Sequence, residues 1–155
     1  MRVGDPAPDF SLPGTGPAPG PVTLSGLRGR KVVLYFYPKD DTSGCTREAQ
    51  EFSALGPAFA EADAVVLGVS ACSLASHERF SAKYGLAHPL LSDEGREALE
   101  AYGVWVEKSM YGRTYMGVER TTLLIDREGR IARMWPKVKV PGHAAEVLEA
   151  ARTLP

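Results

Sequence analysis

The length, composition and charge of the chain exclude several classes of function before any motif is considered. Its 155 residues are 44% hydrophobic, which is near the globular average and suits one domain spanning residues 1–155 rather than a disordered chain. The net charge is −1, so the chain lacks the excess of basic residues that is typical of a nucleic-acid-binding protein. No apolar run approaches the roughly 20 residues of a membrane span, and the acidic, Pro-containing first ten residues do not resemble a signal peptide. We therefore expect a cytoplasmic protein without a membrane anchor.

The first half of the chain contains one long apolar strand followed by a helix. The first predicted element is a loop at Gly4–Pro21 that contains one short strand, Phe10–Leu12. A second short strand is predicted at Val22–Leu24. Residues Val32–Tyr37 form an uninterrupted apolar run, which is typical of a central strand covered on both faces. Between Cys45 and Ala62, apolar residues recur every three or four positions and predict a helix, which Gly56-Pro57 should interrupt.

The second half repeats the alternation of strand and helix and ends in a hairpin and a helix. The elements predicted here are a strand at Val65–Ser70, a helix at Leu74–Tyr84 capped by Ser73, a strand at Pro89–Ser92, a helix at Glu94–Tyr102, a loop or hairpin at Val104–Val118, hairpin strands at Thr121–Asp126 and Arg130–Trp135, and a helix at His143–Arg152. A helical crossover should make the first two buried strands parallel, and the late hairpin should add an antiparallel edge. This order predicts an α/β, thioredoxin-like fold, in which N-terminal short strands precede a central mixed β-sheet flanked by helices on both faces.

Two cysteines, Cys45 and Cys72, are too few for a disulfide scaffold. Cys45 falls near the first turn of a predicted helix, just after a buried strand and Pro38. Unpaired backbone N–H groups and the positive end of the helix dipole favour a thiolate at such a position. Thr42, three residues earlier, brings a hydroxyl towards the sulfur. This pattern indicates that Cys45 is a reactive thiol.

The segment around Cys45 also carries a spaced motif with characteristic flanking residues. Pro38, Thr42 and Cys45 form the pattern Pro-x-x-x-Thr-x-x-Cys, within Tyr-Phe-Tyr-Pro-Lys-Asp-Asp-Thr and Gly-Cys-Thr. This pattern resembles the active-site motif of the peroxiredoxins, and its flanks are similar to the bacterioferritin-comigratory, or Q-type, subfamily. Further segments match that subfamily in order, at Gly4–Phe10, Leu67–Ser70, Ser76–Phe80, Tyr111–Gly117 and Arg120–Asp126. The resemblance covers essentially the whole chain.

The resemblance implies a thiol-dependent peroxidase that reduces hydrogen peroxide and organic hydroperoxides. In this chemistry the Cys45 thiolate attacks the terminal peroxide oxygen, releases water or an alcohol, and becomes a sulfenic acid. The threonine of the family maps onto Thr42, which can hydrogen-bond the peroxide, and Pro38 shields the site. The family's arginine maps onto Arg120, whose guanidinium can hold the thiolate and polarise the peroxide. No cofactor is implied, no metal-ligand spacing is present, and we expect a monomer.

The recycling of the sulfenic acid departs from the common pattern. Many Q-type members carry a resolving cysteine five residues after the peroxidatic one, where this chain has Gln50. One open route uses Cys72, which follows a strand predicted to lie beside the one ending at Tyr37. A disulfide requires Cα atoms within about 7 Å, so this route needs local unwinding of the Cys45 helix. In the other route, which we favour, thioredoxin or a low-molecular-weight thiol reduces Cys45 directly and Cys72 is inert.

Alternative functions and alternative roles for individual residues follow from the same sequence. A non-turnover redox sensor or a thiol–disulfide binding module would use the same thiol without steady peroxide consumption. A disulfide reductase is disfavoured because the chain has no Cys-x-x-Cys. We interpret His77 as a partly buried packing residue, and Trp105, Tyr111 and Tyr115 as aromatic core rather than the mouth of a substrate pocket. Without the resemblance, Arg120 would be a solvated charge on an edge strand.

Overall fold

A computed structural model describes residues 1–16 and 20–155, so residues 17–19 of the predicted N-terminal loop lie outside it. The elements are β1 (Ser11–Pro13), β2 (Pro21–Thr23), a 3₁₀ turn (Leu24–Leu27), β3 (Lys31–Phe36), α1 (Ser43–Ala54), α2 (Gly56–Glu61), β4 (Ala64–Ser70), α3 (Leu74–Tyr84), β5 (Leu90–Ser92), α4 (Glu97–Ala101), β6 (Trp105–Met110), β7 (Arg113–Val118), β8 (Thr121–Ile125), β9 (Ile131–Trp135) and α5 (His143–Thr153). Within the described ranges, no helix has the length and apolar character to cross a membrane.

Five strands form one mixed sheet in the order β5-β4-β3-β8-β9. The pairs β3–β4 and β4–β5 are parallel, and β8 and β9 add antiparallel pairs, as the order of elements predicted. The N-terminal strands β1 and β2 pair antiparallel as a separate hairpin. This is the predicted thioredoxin-like α/β arrangement. One detail differs, because β8 lies between β3 and β9, so that Arg120 precedes an interior strand rather than an edge strand.

The strand β3 supplies both faces of the core because successive side chains of a strand point to opposite sides. Val33 and Tyr35 pack with residues of α1, α2, α3 and α5. Leu34 and Phe36 pack on the other face, with residues of α4 and of the N-terminal hairpin. All four side chains are fully buried, and burial of such a side chain contributes roughly 1.5–3 kcal/mol. The apolar run thus explains why this strand is central.

Local signals set most helix boundaries. The predicted interruption is confirmed, since α1 ends at Ala54 and α2 begins at Gly56, with Pro57 in its first turn where a missing N–H costs nothing. The Oγ of Ser73 accepts the Ser76 N–H and caps α3 as predicted. The helix predicted at 94–102 is shorter and covers 97–101. The difference arises at Arg96, whose φ of 62° is not helical.

The segment 104–118 is a hairpin, β6–β7, that pairs with no other strand in the described chain. Tyr111 at its turn is 98% exposed and Tyr115 is 45% exposed, whereas Trp105 at its base is half-buried. The prediction that Tyr111 and Tyr115 belong to the core is therefore wrong. The physical reason is that an isolated two-stranded ribbon has no second layer to cover its side chains.

Candidate active site

The loop that joins β3 to α1 places Cys45 at the start of a helix. The buried strand ends at Phe36, the half-buried Pro38 follows, and α1 begins after Thr42, whose extended backbone (φ −98°, ψ 156°) is that of an N-cap. Cys45 lies in the first turn, where backbone N–H groups have no partner within the helix. Its side chain is only 1% exposed and packs in the core cluster beneath α1. The predicted position of the thiol is therefore confirmed.

Arg120 contacts the sulfur of Cys45 although the two residues are 75 positions apart in the sequence. Its Nη2 donates to Cys45 Sγ at 3.3 Å, and its Nη1 donates to Glu48 Oε1 at 2.7 Å. A Cβ at residue 44 would lie 3.3 Å from Arg120 Nη2, so Gly44 allows the guanidinium to lie close to the first turn of α1. One guanidinium thus bridges the thiol and a carboxylate, and its planar set of donors is suited to that geometry.

Glu48 is a member of this cluster that the sequence interpretation missed. It is 2% exposed, one turn after Cys45, and its Oε2 has no hydrogen-bond partner among the described residues. Burial raises the pKa of the Glu48 carboxyl to about 7, although the charge of Arg120 acts in the opposite direction. Burial also disfavours the Arg120 charge, but Glu48 and Cys45 outweigh it and raise the pKa of that guanidinium. Glu48 is therefore the member of the Arg120–Glu48 pair that titrates.

The raised pKa of Glu48 predicts a pH dependence of stability. A folded-state pKa of about 7, above the ordinary 4.5, favours the fold while Glu48 is protonated. This contribution is complete below pH 4.5 and is lost as the pH rises through about 7. We expect the free energy of unfolding of wild type, minus that of Glu48→Gln, to fall by about 3 kcal/mol between pH 4.5 and pH 8. Urea denaturation of both proteins measures it, and an unchanged difference would contradict it.

Thr42 and Pro38 lie at the entrance to the helix. The Thr42 side chain is exposed, and its Oγ1 donates to the Lys39 carbonyl at 2.9 Å. The main-chain carbonyl of Thr42 accepts the Thr46 N–H at 2.8 Å, which starts the helix. The hydroxyl proton is thus engaged by the loop itself, and a peroxide would compete for it.

Gln50 and Cys72, the two positions considered for recycling, lie in different parts of the structure. Gln50 is exposed on α1. Cys72 is half-buried after β4, and its Sγ accepts the Asp40 N–H at 3.5 Å, in the loop that leads to Cys45. Both cysteines are free thiols. The shared sheet edge does bring Cys72 to the loop before Cys45.

A buried polar network next to this loop involves His77, which is fully buried rather than partly buried as predicted. Its Nδ1 lies 2.7 Å from Asp40 Oδ2, and its Nε2 lies 2.9 Å from the Leu91 carbonyl. Tyr37 donates to the other oxygen of Asp40 at 2.6 Å. His77 is therefore hydrogen-bonded at both nitrogens and does more than fill space.

A sequence signal existed for Glu48 but not for the network around Asp40. Glu48 interrupts the apolar face of α1 that carries Cys45, Ala49 and Phe52, and a charge on such a face points to a buried partner. Asp40 stands in a turn-rich loop, where aspartate is common for local reasons. Only the fold shows that its side chain points inward.

Comparison with known proteins places this geometry in context. The model of the AhpC/TSA family matches residues 3–134. The chain is 49% identical over 148 residues to a putative peroxiredoxin Bcp of Coxiella burnetii, covering 96% of this chain and 97% of that protein. It is 45% identical over 154 residues to the peroxiredoxin Bcp of Bacillus subtilis, covering 99% and 97% of the two chains.

A solved structure shows that the likeness extends to the fold. The chain superimposes on the bacterioferritin comigratory protein of Xanthomonas campestris with a TM-score of 0.87 and 45% identity, covering 92% of this chain and 90% of that one. That protein was trapped in intermediate and ligand complexes that bear on its alkyl peroxide reduction activity.

Proposed function

The chain belongs to the AhpC/TSA family, as a peroxiredoxin of the bacterioferritin-comigratory, or Q-type, subfamily, and on this premise we propose that Cys45 is its peroxidatic thiol. The enzyme is a thiol-dependent peroxidase. We propose that its substrates are hydrogen peroxide and organic hydroperoxides. The observation that carries the assignment of Cys45 is the 3.3 Å hydrogen bond from Arg120 to its sulfur, at the start of a helix.

The proposed chemistry follows from the groups around the sulfur. The Cys45 thiolate attacks the terminal oxygen of ROOH, the S–O bond forms as the O–O bond breaks, and the leaving RO⁻ takes a proton to become an alcohol or water. Cysteine is thereby oxidised to a sulfenic acid and the peroxide is reduced. Arg120 has two roles in this step. Its charge stabilises the thiolate, and its remaining N–H groups can donate to the peroxide oxygen on which negative charge develops. We propose that Pro38, which is half-buried in the loop before α1, shields the sulfur.

Thr42 is proposed to bind the peroxide through its hydroxyl. Thr42→Val keeps the shape of the side chain but removes the donor, and we expect the rate of Cys45 oxidation to fall by about tenfold, the loss of roughly 1.4 kcal/mol. Stopped-flow oxidation with hydrogen peroxide measures this rate. Thr42→Ser, which retains the hydroxyl, should lose less, and equal rates for all three proteins would remove Thr42 from the site.

For recycling we propose that an external thiol, either thioredoxin or a low-molecular-weight thiol, reduces the Cys45 sulfenic acid. Gln50 cannot form a disulfide, and Cys45 is held in the helix on the side of the Arg120–Glu48 pair. The contact of Cys72 Sγ with the Asp40 N–H favours a second candidate, in which Cys72 condenses with the sulfenic acid and releases water. That route requires the first turn of α1 to open, which is where a helix is least stable.

The variant Cys72→Ser separates the two routes. Because Cys45 Sγ is hydrogen-bonded by Arg120 and Cys72 Sγ by the Asp40 N–H, the first, stoichiometric oxidation of Cys45 should proceed at the wild-type rate in this variant. With an external thiol as reductant, turnover should also be unchanged. If thioredoxin-supported turnover is lost and the variant over-oxidises readily, Cys72 is the resolving residue and the direct route is wrong.

The whole proposal is tested by treating the protein with one equivalent of peroxide and mapping its peptides by mass spectrometry. We expect one oxygen at Cys45, trapped as a sulfenic acid adduct, and steady peroxide consumption when a thiol reductant is added. A Cys45–Cys72 disulfide formed at the catalytic rate would support the second route. Oxidation without turnover in the presence of both thioredoxin and small thiols would instead indicate a redox sensor.

A further inference from the structure

Two adjacent aspartates fasten the loop between β3 and α1 to one face of α3. We call this arrangement the aspartate clamp. Its residues are Asp40 and Asp41 on the loop and Ser76, His77, Lys83 and Tyr84 on α3. The four helix residues lie on one side of α3 because Ser76 and Lys83, like His77 and Tyr84, are seven positions apart, which is about two helical turns. The clamp lies outside the cluster formed by Cys45, Arg120 and Glu48.

The buried arm of the clamp is centred on Asp40, which is 8% exposed. Its carboxylate lies 2.8 Å from Ser76 Oγ and 2.7 Å from His77 Nδ1, in addition to its bond from Tyr37. These hydrogen bonds lower the pKa of the Asp40 carboxyl, although burial opposes them. Since the Leu91 carbonyl can only accept, the ring donates at Nε2, and Nδ1 pairs with the Asp40 carboxylate. Such charge-assisted bonds fix a position more firmly than neutral ones.

The exposed arm is centred on Asp41, which has a φ of 58°. Its carboxylate accepts from Lys83 Nζ at 2.8 Å and from Tyr84 Oη at 2.6 Å. Lys83 and Asp41 are both exposed, and ion pairs of this kind contribute little. In both arms an aspartate carboxylate is therefore hydrogen-bonded to side chains of α3, but the Asp40 arm is buried and the Asp41 arm is exposed to solvent.

The peptide unit between Lys39 and Asp40 connects the clamp to the thiol site. Its N–H donates to Cys72 Sγ, and its carbonyl accepts the Thr42 hydroxyl. Thr42 in turn is the N-cap of the helix that carries Cys45. A displacement of Asp40 would therefore move the acceptor that orients Thr42 and the start of α1.

We infer that Asp40 is a positioning residue for peroxide reduction, which rests on the proposed role of Cys45. Through its bonds to Ser76 and His77, it holds the peptide unit before Thr42 in the geometry that peroxide attack requires. It also keeps the first turn of α1 closed. A misplacement on the order of 1 Å can slow a reaction by ~10²-fold. Loss of the buried arm therefore slows Cys45 oxidation even in molecules that remain folded.

The test compares Asp40→Ala with Asp41→Ala, the matched control on the exposed arm. Stopped-flow oxidation of Cys45 by hydrogen peroxide is measured from pH 5 to pH 9 on protein shown to be folded by circular dichroism. We expect Asp40→Ala to slow oxidation about tenfold or more and to shift its pH profile. Amide hydrogen exchange over residues 42–46 should accelerate. Asp41→Ala should stay within about twofold of wild type.

The conservative variant Asp40→Asn provides a rescue, because its carboxamide oxygen can accept from Tyr37 and its amide N–H can donate to His77 Nδ1. We expect its rate to recover most of the loss. If Asp40→Ala does not fold, Ser76→Ala decides, with an expected slowing of about twofold or more and faster exchange over the same residues. The inference is overturned if these folded variants lose stability but keep the wild-type rate and pH profile. If wild-type Cys45 does not react with peroxide, the proposed function fails instead.

Discussion

Replacing Cys45 with serine is expected to abolish peroxide consumption, leaving only the uncatalysed background. The alkoxide of serine is not accessible near neutral pH, and the side chain that contacts the sulfur, Arg120, is a hydrogen-bond donor that cannot take the proton of a serine hydroxyl. Arg120 would still bridge to Glu48, so the packing of α1 against the sheet should persist. Peroxide consumption with an excess of thiol reductant measures the effect.

Cys72→Ser is the matched control for this variant. Both changes replace one sulfur with oxygen, and only the change at Cys45 removes the atom to which Arg120 donates. Because the side chains of serine and cysteine are similar in size, the free energy of unfolding should change little in either variant. Turnover above about a tenth of the wild-type value in Cys45→Ser would show that another group carries the reaction.

Replacing Arg120 with alanine should slow Cys45 oxidation by tenfold or more, since each loss of about 1.4 kcal/mol is a factor of ten. The variant removes the hydrogen bond to the sulfur and the nearest positive charge, so the thiolate forms less readily. A higher pH is then needed to form the thiolate, so the pH at which the oxidation rate increases should be higher in the variant than in wild type. Stopped-flow oxidation as a function of pH measures both effects.

Two further variants distinguish the charge of Arg120 from its shape. Arg120→Lys keeps a positive charge, but one ammonium cannot bridge Cys45 and Glu48 as the guanidinium does, so an intermediate rate is expected. Arg120→Met keeps much of the stem and should resemble alanine. If all three variants react as fast as wild type, Arg120 has no part in peroxide attack.

Features that depend on neighbours in sequence could be predicted from the sequence alone. The apolar run of β3, the Pro57 interruption and the Ser73 cap are local, because backbone conformation and capping involve residues within one turn. The same holds for Cys45 at a helix start after Thr42. The spacing of Pro38, Thr42 and Cys45 indicated the family and the thiol chemistry, which the comparisons confirmed at the level of a peroxiredoxin.

Only the tertiary structure decided which side chains meet across long separations. Arg120 contacts Cys45 from 75 positions away, and its second partner Glu48 was not predicted at all. His77 meets Asp40 from 37 positions away, which made a residue interpreted as packing part of a polar network. Tyr111 was assigned to the core because aromatic residues are usually buried, but an isolated ribbon leaves it in solvent. The common reason is that periodicity specifies which face of an element is buried, whereas the pairing of buried polar groups depends on how the sheet brings distant elements together.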